Sequence, residues 1–227
     1  MFLDRFINIV FFCFWMDRFH GIKEEAKKFF SGSNASHDWE HTCRVYNLCI
    51  QMGQKEGIDL EVLGLSAILH DIARGQQDRS GGKICHAEKG AVLAKALLHK
   101  YRIDKDKIDK VIHCIETHWF RGPKAPQSEE AKILFDADKL DSIGAVGIGR
   151  AFIFAGGIGA KLHNKDADIE NTQPYTEEDT AYREFMLKLR KVKGRMLTEE
   201  GKKRAQQRHS FMVNFFERLN REVDGRE

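Results

Sequence analysis

Proline is nearly absent from this chain, with three residues in 227, at positions 123, 126 and 174. An interior proline removes a helical hydrogen bond and clashes with the preceding turn, so its placement marks where helices cannot run. All three fall in segments that read as loops, which leaves the long stretches between them unbroken. Through most of those stretches apolar residues recur at three- and four-residue spacing. The sequence therefore predicts an all-α chain, a helical bundle with a C-terminal helical extension.

The periodicity places helices at about 17–30, 38–53, 58–72, 85–101, 104–119, 129–141 and 145–154, then at 178–193 and 198–223. In the second of these, Val45, Leu48, Cys49 and Met52 share one face, and His41, one turn ahead of Val45, points the same way. The third is apolar and ends at His70-Asp71. The last begins at Thr198-Glu199-Glu200, a capping hydroxyl followed by acids in the first turn. Its stripe of Ala205, Met212, Phe215, Phe216, Leu219 and Val223 faces inward, and its lysine- and arginine-rich side reads as a solvated face. Residues 156–176, rich in Gly, Asn and Asp, read as a loop.

No segment between these helices has linker composition, so the expectation is one body over 16–157, with the loop and helices of 158–227 packing on it. Residues 1–15 form an apolar extension of unclear role. Phe6 to Trp15 falls well short of the roughly 20 residues a spanning helix needs. Asp4, and the want of a small-residue cleavage site, argue against a signal peptide. An added helical turn on the body, an upstream start and a membrane-surface anchor remain the readings of that segment.

Lysine plus arginine exceed aspartate plus glutamate by three, 37 against 34, which argues against a general nucleic-acid coat while allowing a local basic pocket. The cysteines, at 13, 43, 49, 85 and 114, are odd in number, scattered and without a Cys-x-x-Cys pair. They read as reduced thiols of a cytoplasmic protein and not as a disulfide frame or zinc site.

The residues that carry chemistry are His41, the doublet His70-Asp71, and Asp138. Two imidazoles and two carboxylates can hold a hard-to-borderline divalent ion and leave positions open for water and a phosphate oxygen. Taken singly, each has an ordinary alternative as a capping aspartate or a hydrogen-bonded core histidine. A second His-Asp doublet, His37-Asp38, illustrates this: beside Ser36 and ahead of its helix, it reads as an N-cap, with direct metal contact the lesser alternative and His37 a candidate support for His41 one turn away.

The order His, then His-Asp, then a distant Asp, each on a helix, resembles the HD superfamily of metal-dependent phosphohydrolases. The likeness extends to its small stand-alone branch, which includes nucleotide pyrophosphohydrolases, through Ser36 to Trp39, His86 to Gly90, Asp136 to Asp141, Gly147 to Arg150 and Arg204 to Met212. It covers most of residues 17 to 220. The resemblance implies an HD-domain helical bundle with His41, His70, Asp71 and Asp138 as metal ligands. The ion would be Mn, Fe or Mg, or Ni or Co, one per chain with a second possible. His86 and His118 are then candidates for substrate phosphate or a second ion, and Asp141 for a support behind the ligands. His113, about 140° around the helix from His118, cannot share its centre and reads as structural.

Some nucleotidases of the superfamily carry a glutamate three residues after the doublet's aspartate. Here Arg74 stands there, unable to act as a base but able to fork onto phosphate oxygens. Arg74, Lys139, His86, His118 and Arg121 are the candidates to neutralise charge on a reacting phosphate, and segments 74–84 and 120–128 read as loops able to close over it.

The implied function is hydrolysis of a phosphate ester or anhydride, most readily a nucleoside triphosphate pyrophosphohydrolase. A cyclic or signalling nucleotide phosphodiesterase and a non-catalytic nucleotide- or partner-binding module are the alternatives. The expected partner is a small phosphorylated substrate, with neither specific nucleic acid nor membrane, for a monomer or homodimer. Neither Gly147-x-Gly149 nor Gly157-x-Gly159 completes a dinucleotide-binding pattern, and no Walker motif or Gly-x-Ser-x-Gly elbow is present.

Overall fold

A helix apolar on every side must be surrounded by others. Every residue from Val62 to Leu69 is buried, and in the computed structural model, which describes residues 19–31, 38–119 and 124–226, this helix is the centre of the bundle. The helices in order are His20–Lys28 (α1), Trp39–Glu56 (α2), Leu60–Leu69 (α3), Arg74–Arg79 (α4), His86–Lys100 (α5), Lys105–Thr117 (α6), Glu129–Asp141 (α7), Gly144–Gly157 (α8), Ala181–Leu187 (α9) and Glu199–Val223 (α10). Short 3-10 turns occur at Ile169–Asn171 and Leu189–Arg195, and no strand occurs among the described residues. Helices α2, α6 and α7 pack along α3, while α1 touches it more briefly. Leu63, Leu65 and Leu69 are wholly buried there, each contributing roughly 2 kcal/mol of transfer free energy.

The helix starts are fixed by short polar side chains. Asp38 accepts from the backbone N–H of His41, Asp59 from Glu61 and Val62, Asp104 from Asp106 and Lys107, and Ser128 from Ala131. These caps set where α2, α3, α6 and α7 begin, and so the angular positions of His41, His70, His118 and Asp138. At the other end of α2, Gly57 takes a left-handed conformation, φ 68°, that stops the helix.

The segment expected as one helix over 178–193 is α9 followed by a 3-10 turn. The backbone leaves the helical region at Lys188, φ −126°, and the tighter turn that follows brings Leu189 and Met196 into the core. Helices α9 and α10 pack on α8, α10 also packs on α7, and Phe185, Ala205, Met212 and Phe216 belong to the same buried cluster as α2 and α3. The loop before α9 is held by Arg183, which donates to Thr172 Oγ1 at 2.6 Å and to Asp179 at 2.7 Å. Among the described residues no single helix is long and apolar enough to cross a membrane. The apolar segment 1–15 lies outside them.

Candidate metal centre

Two of the histidines are held by the same local device. His70 ends α3 and His118 ends α6, both in right-handed helical conformation, and each turns Nδ1 back to a carbonyl three residues earlier. His70 meets Ala67 O at 2.8 Å and His118 meets Ile115 O at 2.6 Å. The other two stand in first turns, His41 on α2 and His86 on α5. His41 Nδ1 donates to Asp141 Oδ2 at 2.7 Å, and His86 Nδ1 donates to Gln77 Oε1 at 2.5 Å. Arg74 Nη1 also lies 3.3 Å from His86 Nδ1, but Gln77 Oε1 is closer and accepts the His86 backbone N–H as well, which assigns the ring proton to Gln77.

With every Nδ1 acting as donor, the acceptor nitrogen of each ring is Nε2. All four Nε2 atoms face one buried centre, His41 and His70 at 3.3 Å and His86 and His118 at 3.1 Å. Two acceptor nitrogens at that separation repel unless a proton or a metal ion stands between or beside them. The C-terminal ends of α3 and α6 also point here, and the negative pole of a helix favours a cation.

Asp71 spans the two nitrogen pairs. Its Oδ2 is 3.7 Å from His41 Nε2 and 3.8 Å from His70 Nε2; its Oδ1 is 3.5 Å from His86 Nε2 and 3.7 Å from His118 Nε2. Asp138 Oδ1 approaches His41 Nε2 to 3.4 Å. Two groups able to hold a metal ion result, His41 with His70 and Asp138, and Asp71 with His86 and His118, each with its donor atoms within 4.8 Å of one another. Mixed imidazole and carboxylate donors fit a first-row divalent ion, so the residues present fit the group that the sequence pattern implies.

The electrostatics favour positive charge on one side of the centre. Burial pulls His41 down, but its hydrogen bonds to Asp138 and Asp141 and the charge of Asp71 overcome this and lift it to about 9. Burial prevails at His70 and His86, which fall to about 4 and about 3 and so stay neutral, as a ligand must be. Burial also works against charging Asp138 and Asp141. Lys139 and His41 nonetheless hold Asp138 well below the usual carboxylate range, and His41 and Arg44 do the same for Asp141.

Six of the histidines and aspartates singled out in the sequence thus converge: His41, His70, Asp71, His86, His118 and Asp138. Arg74 stands at the edge, its Nε 3.7 Å from Asp71 Oδ2. Lys139 is turned onto Asp138, at 2.5 Å, with its ammonium 5.4 Å from the Phe135 ring centre. His113 is away from the centre and accepts the backbone N–H of Gln127 at 3.1 Å. His37 and Arg121 lie outside the described residues.

Residues 74–79, expected as loop, form α4. That short helix brings Gln77 beneath His86, a contact sequence reasoning missed. Arg44 and Arg150 were missed as well. Arg44 Nε meets Asp141 Oδ1 at 2.7 Å and Arg150 Nη1 meets Asp141 Oδ2 at 2.7 Å. The three-residue step from His41 to Arg44 places them on one helix face, a local signal for Arg44, while Arg150 closes the stretch Gly147 to Arg150 that carried the family likeness.

Residues 38–143 match the HD domain, and this segment contains all six converging side chains. The chain belongs to the HD-domain family and has the fold of its hydrolases. Over 208 residues it is 33% identical to YpgQ of Bacillus subtilis (strain 168), a match covering 90% of this chain and 93% of the relative. The crystal structure of B. subtilis YpgQ in complex with ADP superposes with a TM-score of 0.69 at 30% identity, covering 92% of this chain and 96% of that one. An HD-superfamily hydrolase from Bacillus thuringiensis superposes with a TM-score of 0.73 at 25% identity, covering 92% and 98%.

Proposed function

We propose that this protein is a metal-dependent phosphohydrolase that cleaves a phosphate ester or anhydride of a nucleotide, in the manner of a nucleoside triphosphate pyrophosphohydrolase. The convergence of four imidazole Nε2 atoms around the Asp71 carboxylate carries the reading. A relative that matches nearly the whole of this fold was crystallised in complex with ADP, which supports the nucleotide.

His41, His70, Asp71 and Asp138 would hold the ion, with Mn, Fe or Mg suited to the donor set. When bound, such an ion draws the pKa of water toward neutrality and neutralises phosphate charge. The remaining work falls to the chain. Asp141 fixes the His41 ring through Nδ1 while Arg44 and Arg150 pin Asp141 in turn. Ala67, Ile115 and Gln77 fix the other three rings. Arg74 offers a planar fork of donors to phosphate oxygens at the rim, a role its neighbours Asp71 and His86 orient. Burial of the ligands excludes bulk water and strengthens every charge interaction within.

The test is metal analysis of protein purified without chelator. The same preparation would be assayed with Mn²⁺ or Mg²⁺ against nucleoside mono-, di- and triphosphates and cyclic nucleotides. Pyrophosphate released from triphosphates by metal-loaded protein supports the reading. Loaded protein that turns over none of the panel sinks it.

The trio Asp71, His86 and His118 favours a second reading, a two-metal phosphodiesterase for cyclic or signalling nucleotides. Two ions per chain with turnover confined to cyclic substrates would establish it in place of the first.

A further inference from the structure

We infer that Asp136 is a positioning residue for the metal centre, acting through the start of α10, a helix outside the residues that match the HD domain. The inference rests on the metal-dependent reading above. Helical residues advance about 100° each, so Asp136 and Leu140 lie about 40° apart on α7. Asp138 and Asp141 fall on the opposite flank, about 140° or more from Asp136. One helix therefore presents two faces, one toward the ligand cluster and one toward α10.

The rear face is held at two points. Asp136 is wholly buried, and its carboxylate accepts from Leu197 N at 2.9 Å, Thr198 N at 2.8 Å and Thr198 Oγ1 at 2.7 Å. Thr198 is itself the cap of α10, its Oγ1 accepting from Gly201 N at 3.0 Å. The fit is close enough to require glycine at 201, where a Cβ would stand 2.1 Å from Asp136 Oδ2. Further along α10, Arg208 Nη1 donates to the carbonyl of Leu140, and its stem lies against Gly144, where a Cβ would come within 2.9 Å of Arg208 Cγ.

Burying a carboxylate is unfavourable unless donors replace its water. The start of a helix supplies such donors, with the positive end of its dipole. An apolar residue at 136 would bury as well but would leave α7 free to turn against α10. The hydrogen bonds from Leu197 and Thr198 fix both its rotation and its axial position. A rotation of about 10° moves a side-chain tip on a helix by about 1 Å, enough to spoil a ligand set. Asp136 faces α10 and touches none of the ligands, so it acts by holding α7 and not by chemistry.

The experiment measures Mn²⁺ affinity and the electron paramagnetic resonance spectrum of bound Mn²⁺ for D136N, T198V and T198S, with circular dichroism and Tm alongside. F216L serves as a control that loosens α10 away from α7, since Phe216 stacks on Phe185 at 4.4 Å. D136N and T198V should lose about tenfold or more in affinity, while T198S, which keeps the hydroxyl, stays within about twofold of wild type. F216L should lower Tm and keep its affinity. If D136N does not fold, the T198V and T198S pair decides.

Folded D136N or T198V with wild-type affinity and spectrum overturns the inference. So does F216L losing as much affinity as T198V. Wild-type protein that binds no Mn²⁺ overturns both the inference and the reading beneath it. Protein that binds Mn²⁺ but hydrolyses no nucleotide removes the substrate reading alone, and the affinities still judge Asp136.

Discussion

Asp141 Oδ2 accepts the Nδ1 proton of His41 at 2.7 Å, across 100 residues of sequence, while Arg44 and Arg150 hold the same carboxylate from either side. This contact determines which nitrogen of His41 faces the centre. Asp141→Asn keeps the shape of the side chain but removes its charge and, in one amide orientation, its acceptor. Metal affinity should fall about 10- to 100-fold, the usual cost of removing a partner of a ligating histidine. Titration of Mn²⁺ by calorimetry into D141N checks it, with retained helicity as the condition.

The position of Asp71 between two nitrogen pairs makes it unlike the other side chains of the cluster. Asp71→Ala should abolish metal retention and hydrolysis together while the helical spectrum persists, because the buried apolar run Val62 to Leu69 that holds α3 in the bundle is unchanged. His86→Ala should differ, keeping the ion held by His41, His70, Asp71 and Asp138 and losing any second. Elemental analysis of the two variants beside wild type separates these outcomes. Full activity in D71A would refute the assignment of the centre.

The parts legible in the sequence were those written in local pattern. The apolar run through Leu69 announced a central helix, Thr198 with Glu199 and Glu200 announced the start of α10, and the order of His41, His70-Asp71 and Asp138 announced side chains that meet in one buried cluster. What was illegible depends on partners distant in sequence or lacks a period. Arg74 to Arg79 contains no apolar residue, so nothing distinguished a short helix from a loop until its neighbours were in place. Gln77 therefore could not be aimed at His86. The approach of Arg44 to Asp141, 97 residues away, and of Asp136 to Thr198, 62 residues away, likewise exists only once α2, α7 and α10 are packed. At Lys188 the pull of Leu189 and Met196 toward the core overrode a helical pattern, as tertiary packing does wherever propensity is weak.

Gln77 offers a test of the His86 side alone. Its Oε1 accepts both the ring proton and the backbone N–H of His86. Gln77→Ala leaves the ring free to rotate and should lower kcat about tenfold or more, whereas Gln77→Glu, which keeps the acceptor, should retain most activity. Steady-state kinetics on the substrate found in the panel check the pair. Equal loss in both variants would mean that the amide serves some purpose other than orienting the ring.

Removing the metal should be visible in stability as well as in activity. Without a cation, the Nε2 atoms of His86 and His118 stand acceptor against acceptor at 3.1 Å in a buried site. An ion that binds only the folded state stabilises it by about 2.7 kcal/mol at a free concentration one hundred times its Kd. For a chain of 227 residues each kcal/mol shifts Tm by about 2–4 °C, so restoring Mn²⁺ to chelator-stripped protein should raise Tm by about 5–10 °C. The same addition to D71A should move Tm little, since the carboxylate that stands between the two nitrogen pairs is gone. Differential scanning calorimetry of both proteins, stripped and restored, makes the comparison. A rise of equal size in D71A would place the stabilising ion elsewhere on the molecule.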